Sequence, residues 1–453
     1  MLRSFLVTER RTGMATGISK HELLSKNSIT AFDKNIQEHP LPEDDQNALL
    51  SYTNKASEKE VLQGNDRRFI RASSEGSTPI THFAKNSFVL SDNADALHRV
   101  IDSPMRASLI YLDPPYGTGF DFQSRDLEHA YNDHMGQACY VEFMRRRLIL
   151  MRECMSEDGS IYVHIGHQMV AHLKVVMDEV FGADRFRNLI TRRKCSSKNF
   201  TQNQYSNLND FVLFYSKGKD FKWNRPGITP DQAWIDKEYA KTDDIGRRFK
   251  LVPIHAPGTR NGETGQPWRD MLPPPGKHWQ YAPSKLEELD RNGDIHWSRN
   301  GNPRRKVYWS NDKKIGMSDY WEGFRDAHHQ SIKITGYPTE KNLKMMEMII
   351  GASSEPGDLV IDPFCGSGTT LEAAKNTGRD WLGFDASFVA AKATLKRLRH
   401  GTEAMGDYVN KKKSQGSKKA TLGYANQTSD LSFVFDERLL EDHRTEIEEL
   451  SAL

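Results

Sequence analysis

A chain of 453 residues is about three times the length of a common single domain, so two or three structural units around a substantial core are expected. Hydrophobic residues make up 37% of it, charged residues 27%, and mean hydropathy is -0.70; its most apolar stretches, such as Leu343–Ala352, fall short of the roughly 18 residues that cross a bilayer, so we expect no membrane span and a cytoplasmic protein. Net charge is only +2, and the four cysteines (139, 154, 195 and 365) contain no CxxC pair, which argues against a disulfide framework or a structural metal site.

In chain order, residues 1–80 lack a clear period and read as an extension with one or two helices. Ser108–Leu112 (SLIYL) is a short apolar run that suits a buried strand. Tyr140–Met155 repeats apolar residues every three or four positions, as an amphipathic helix does. Ser160–Ile165 reads as a strand, and a helix follows at about Gln168–Phe181. This β–α–β–α alternation predicts an α/β fold with a mostly parallel sheet covered by helices.

The alternation stops across residues 191–325, where Pro, Gly and Asn punctuate the chain and only Asp210–Ser216 gives a clear strand. That segment holds 25 Lys and Arg against 16 Asp and Glu, a net of +9, and seven of the eight tryptophans. Such a composition suits a polyanion that offers both phosphates and flat bases. It equally suits a domain poor in aliphatics that builds its core from Trp. The alternation resumes with a helix at 341–352, a strand at Asp358–Ile361, a helix at 369–377, a strand at Trp381–Phe384 and a helix at 388–399. The expected organisation is therefore an extension (1–80), one α/β domain in two halves (81–190 and 326–400) with the basic segment (191–325) between them, and a Lys-rich linker with a C-terminal helix (401–453).

Two motifs carry chemistry, each directly after a strand. Asp113-Pro114-Pro115-Tyr116 follows SLIYL, and Gly117-Thr118-Gly119-Phe120 comes next. Open α/β sheets bind ligands at this end of their strands. An exocyclic amino group is a poor nucleophile because its lone pair is delocalised into the ring. Two acceptors, the Asp113 carboxylate and the Pro114 carbonyl, can hold its two hydrogens, and Tyr116 can stack on a base that has left the duplex. The alternative is a proline-stiffened turn with a solvated Asp. The second motif is Asp362-Pro363-Phe364-Cys365-Gly366-Ser367-Gly368-Thr369-Thr370, ahead of a helix. Its glycines allow close backbone approach, and the helix start offers free N–H groups. It lacks the Lys of a nucleotide-triphosphate loop, so an ATPase is disfavoured. Asp385 lies 23 residues after Asp362, where an acidic side chain can accept ribose hydroxyls. A ribose and an amino-acid carboxylate without a polyphosphate describe S-adenosylmethionine; a dinucleotide or an empty tight turn are the alternatives.

Together these motifs make the chain resemble the amino-methyltransferases that act on adenine N6 or cytosine N4 of DNA, most closely the permuted β class that includes the modification subunits of type III restriction systems. The resemblance spans roughly residues 86–400. It also draws on Ser91-Asp92-Asn93, on Asp178–Gly182 ahead of Arg187-Asn188, and on Thr335–Lys341. It implies an S-adenosylmethionine-dependent, Rossmann-like sheet with helices on both faces, in permuted order, with an inserted target-recognition region. It also implies catalytic roles for Asp113, Pro114, Pro115 and Tyr116. Cofactor binding is implied for Asp362–Thr370 and Asp385, for Thr339 and Lys341 in the stretch that closes the pocket, and for Asp92 near the cofactor's adenine. The expected reaction is N6-adenine methylation of double-stranded DNA without a metal. Cytosine N4, RNA or a protein amide as acceptor, and a catalytically silent DNA-binding subunit, are the rivals. A homodimer and a separate restriction subunit are further partners implied by the family. Gly166, where many relatives have Asp, and Asn342, where Pro is usual, depart from its pattern.

Overall fold

Strands that are apolar at every position must be covered on both faces, which calls for a three-layer arrangement. The computed structural model describes residues 48–64, 66–72, 77–116, 121–123, 129–132, 136–195, 203–324, 340–401 and 431–453. The Lys-rich stretch of the tail and most of the N-terminal extension therefore lie outside the described residues. No helix among the described residues is long and apolar enough to cross a membrane.

Eleven strands form the main sheet: β1 (Phe69–Ala72), β2 (Thr78–Ile80), β3 (Ser87–Leu90), β4 (Ala107–Leu112), β5 (Met155–Ile165), β6 (Phe186–Arg193), β7 (Asn209–Ser216), β8 (Tyr320–Trp321), β9 (Leu359–Asp362), β10 (Asp380–Asp385) and β11 (Ser432–Asp436). Their spatial order is β8-β6-β7-β5-β4-β9-β10-β3-β11-β1-β2. The six central strands from β5 to β11 are mutually parallel, and antiparallel pairs flank them on both sides.

The two sequence halves each cover one face. Ile110, Leu112 and Ile361 point into a core with α1 (Asn93–Ile101), α2 (Gln137–Cys154) and α3 (Val170–Phe181). Leu109, Tyr111 and Val360 point the other way, against α4 (Leu343–Ser353), α5 (Thr369–Asn376) and α6 (Phe388–His400). Neighbours β4 and β9 therefore send their following helices to opposite faces. This leaves a crevice at their carboxyl ends, the usual ligand position in such sheets.

Three features were not anticipated from the sequence. Phe69–Ala72 and Thr78–Ile80 form an antiparallel pair at the sheet edge, and Ser432–Asp436 pairs in parallel with β3. Phe186–Arg193 and Asn209–Ser216 belong to the main sheet, and the inserted segment's own smaller sheets, the inserted module, come after them. That module centres on an antiparallel sheet of Lys241–Thr242, Arg248–Pro253, Pro303–Tyr308 and Ile295–Trp297, with a helix at Pro283–Arg291. Trp268 and Trp279 are buried in its own core with Ile254, Leu286 and Ile295.

Candidate functional site

Four adjacent parallel strands, β4, β9, β10 and β3, each end in or just before an aspartate. Register places Ile361 beside Ile110, Asp362 beside Gly383 and Asp385 beside Leu90. Asp113, Asp362, Asp385 and Asp92 therefore emerge along one edge, and all four line a cavity of about 550 Å³.

Asp113 opens the turn after β4. Its Oδ1 accepts from the Tyr116 hydroxyl at 2.9 Å, and its Oδ2 lies 2.6 Å from Lys341 Nζ. Pro114 is buried, and Pro115 O accepts from the Tyr140 hydroxyl of α2 at 2.6 Å, which fixes the turn. Pro115 reaches the cavity wall, whereas Pro114 and Tyr116 do not. A Cβ at Gly166 would sit 2.9 Å from the Tyr116 ring, so glycine at that position makes room for the ring as placed. Gly117–Phe120 and Thr339 lie outside the described residues.

The loop after β9 is wrapped around Asp385. Gly366 N and Ser387 N donate to its two carboxylate oxygens, each at 2.9 Å. Gly366 and Gly368 have φ of 51° and 74°, in the left-handed region that only glycine enters at no steric cost. Pro363 O accepts from Asn93 Nδ2 at 2.7 Å, and Phe364 N donates to Asp362 Oδ1 at 3.0 Å. Ser367 and Thr369 share a hydrogen bond at 3.1 Å, with Thr370 buried beside them. Cys365 is also buried, its thiol donating to Asp362 O, and burial pushes that thiol up, away from thiolate chemistry. Burial likewise pushes the Asp385 carboxyl up and raises Asp362 to about 7, with repulsion from Asp113 and Asp385 adding to the Asp362 shift.

Asp92 caps α1 through Ala94 N at 2.7 Å and pairs with both oxygens against Arg147, at 3.0 and 2.8 Å. Arg147 went unnoticed in the sequence because it ends a run of three arginines on a helix, normally a solvated face. It is 8% exposed and stacks 3.6 Å above the Phe143 ring in the cavity wall. The amphipathic period, which places Arg147 on the same face as Phe143, was the available signal. Lys341 also lines the cavity, with its ammonium on Asp113. Beneath the floor, the Tyr111 hydroxyl meets His164 Nδ1 at 2.7 Å, and His164 Nε2 lies 3.6 Å from Asp210. Burial pulls His164 down, toward the neutral ring.

The donor set decides what can bind. Among the described lining residues are four carboxyl groups and two cations, Arg147 and Lys341, each already set against an Asp. A polyphosphate would face repulsion here, whereas a ligand with positive charge and hydroxyls would find acceptors. Phe143, Phe364 and Phe388 supply apolar faces for a purine. These residues fit S-adenosylmethionine.

A family model described as DNA methylase matches residues 107–396. The chain is 58% identical to the type II methyltransferase M.EcaI of Enterobacter cloacae, over 88% of this chain and 87% of that protein. It is 27% identical to the type II methyltransferase M.KpnI of Klebsiella pneumoniae, over 64% of this chain and 76% of that one. The type III enzyme StyLTI Mod subunit of Salmonella typhimurium is 24% identical, over 64% of this chain and 49% of that one.

Proposed function

Since the chain belongs to the N6/N4 DNA methylase family, we propose that this DNA methyltransferase acts on the N6 amino group of adenine within a fixed recognition sequence. The observation that carries the reading is the convergence of Asp113 with Asp362 and Asp385 on one cavity that is rich in carboxylates and has both of its cations paired. S-adenosylmethionine is the cofactor, and when bound it supplies an electrophilic methyl group on a sulfonium sulfur.

The chain's own residues do the rest. Asp113 and the Pro114 carbonyl accept the two hydrogens of the target amino group, which aims the nitrogen lone pair at the cofactor side of the cavity. Tyr116 turns from Asp113 to cover the face of the flipped base. Asp362 would hold the cofactor's ammonium group, Asp385 its ribose, and the backbone from Gly366 to Thr370 its amino-acid end. Asp92 and Arg147, with Phe143, would border its purine. Positioning of this kind can supply roughly 7–11 kcal/mol of a barrier. The +9 segment is proposed to hold the duplex by its phosphates. A separate restriction subunit and a second copy of the chain are the further partners proposed, the second checked by light scattering.

Nucleoside mass spectrometry tests the reading. Duplex DNA of many sequence contexts is incubated with the protein and labelled S-adenosylmethionine, beside an Asp113→Ala variant. N6-methyladenine from the intact protein is expected, with a fall of at least about 10²–10³ in the variant, the scale for losing one polar group at a reacting centre. N4-methylcytosine would overturn the choice of base, and methylation by the Ala variant at the original rate would overturn the role of Asp113.

A further inference from the structure

We propose that Lys341 is a positioning residue for Asp113, acting on the target-base side of the cavity and not as a ligand of the cofactor. The inference rests on the assignment of Asp113 to the target amino group. A carboxylate needs contacts on both oxygens to fix its plane, and Asp113 has them. Tyr116 donates to Oδ1 and Lys341 Nζ sits 2.6 Å from Oδ2. Tyr116 is the residue that must swing away to stack on a base, so Lys341 is the contact that persists.

The backbone around Lys341 is held from both sides. Glu340 pairs with Arg397 at 3.0 Å, both side chains 3% exposed, and the same guanidinium donates to Ser367 O at 3.1 Å and Thr369 Oγ1 at 3.0 Å. Asn342 caps α4 through Met345 N at 3.2 Å, which accounts for an Asn where the family pattern has Pro. Lys341 itself is buried, so its ammonium has a short reach and no ready escape to water. The three consecutive residues Glu340, Lys341 and Asn342 thus tie the cofactor loop, the target-base motif and a helix start together.

Charge gives the contact its purpose. Asp113, Asp362 and Asp385 crowd one crevice, and the charges of Asp113 and Asp385 add to the upward push that burial gives the Asp362 carboxyl. Asp113 serves the amino group as a carboxylate, which accepts from one N–H bond while the Pro114 carbonyl accepts from the other. A protonated carboxyl would donate to the nitrogen lone pair that has to attack. A fixed cation 2.6 Å away holds Oδ2 by a charge-assisted hydrogen bond and so fixes the orientation of the carboxylate. A cation given over to the cofactor would instead stand near its sulfonium and ammonium charges without relieving Asp113.

Full-length Lys341→Met and Lys341→Arg are compared with the unaltered chain for cofactor affinity by calorimetry and for single-turnover methylation of duplex DNA at saturating cofactor. Lys341→Met is expected to keep the cofactor Kd within about threefold while its single-turnover rate falls about 100-fold, the cost of a misplaced reacting group. Lys341→Arg, which restores the charge, is expected to recover about tenfold of that loss. A Lys341→Met rate that returns to normal as cofactor is raised, with Kd weakened in parallel, overturns the proposal and makes Lys341 a cofactor ligand. Absence of any methylated base from the unaltered chain overturns the assignment of Asp113 and this inference with it.

Discussion

The main sheet and the inserted module use the same residue types for opposite ends. At the carboxyl edge of the sheet, Asp, Arg and Lys are drawn inward and set against one another around a cavity, as in Asp113–Lys341 and Asp92–Arg147. In the module, aromatic rings are drawn inward and charges are left outside. Trp268 stacks on Trp297 with centroids 5.3 Å apart and meets Trp279 edge-on at 6.2 Å. Each indole N–H finds an acceptor: Glu287 for Trp268, Gln266 O for Trp279 and Asp290 for Trp297. A cluster of tryptophans in a basic segment can be a base-stacking surface or a core. For these three the second holds. Composition suggests a partner only once burial has removed the residues that the fold itself consumes.

The contrast predicts that the two regions fail differently. Trp279→Ala removes a buried ring from a small core with few other large members. We expect a loss of about 3–5 kcal/mol, concentrated in the module. Hydrogen exchange should show residues 241–308 losing protection while β3, β4, β9 and β10 keep theirs, and cofactor affinity should stay unchanged. Loss of protection in both regions together would mean that the module and the sheet fold as one. Gly383→Ala makes the converse test. A Cβ there would lie 2.5 Å from Cys365 Sγ and from Leu371, pushing on the loop from behind. Overpacking of this kind costs about 1–3 kcal/mol, and we expect it as weaker cofactor binding in calorimetry with DNA affinity retained.

The same contrast explains what could be read from the sequence. The parallel strands were legible because burial on both faces makes them continuous apolar runs, and the helices because one face of each is apolar. Asp113, Asp362 and Asp385 were legible as a site because each follows such a strand directly. The sheet edges were not. Phe69–Ala72 and Tyr320–Trp321 are too short to show a period, and Ser432–Asp436 is separated from its partner β3 by more than three hundred residues of chain. Arg147 and the direction of Lys341 were hidden for a different reason. The sequence records charge, but which carboxylate a long side chain meets depends on tertiary placement.

A pH test sharpens the sheet side. Asp362 is raised to about 7 in the folded chain, whereas an unfolded carboxyl titrates near 4. Between those values the folded chain retains a proton that the unfolded chain has released. Stability from this group therefore falls as pH rises from about 4 to about 7 and is level above that. Asp362→Asn should remove the slope, seen by comparing denaturant midpoints across that range. A cationic ligand should act in the opposite direction, because it favours the ionised carboxylate. Its affinity should climb with pH toward 7, with proton release on binding detected in buffers of different ionisation enthalpy. An unchanged slope in Asp362→Asn would assign the pH dependence to another group.

The smallest effect is expected on the module's outer surface. Arg299 and Arg304 are exposed beside and on the strand Pro303–Tyr308, so removing them leaves neither a cavity nor an unpaired buried charge. If they meet phosphates, each loss removes about 0.9 from the slope of log affinity against log salt. The Arg299→Ala, Arg304→Ala pair should therefore flatten that slope by up to about 2 and weaken binding at low salt, without altering which sequence is methylated. The single-turnover rate at saturating DNA should stay the same, because neither side chain lines the cavity. This separates the pair from Trp279→Ala, which acts through the module's stability, and from Asp113→Ala, which acts at the reacting atoms. A slope equal to that of the unaltered chain would take the phosphate contact away from this strand and give it to another basic surface of the protein.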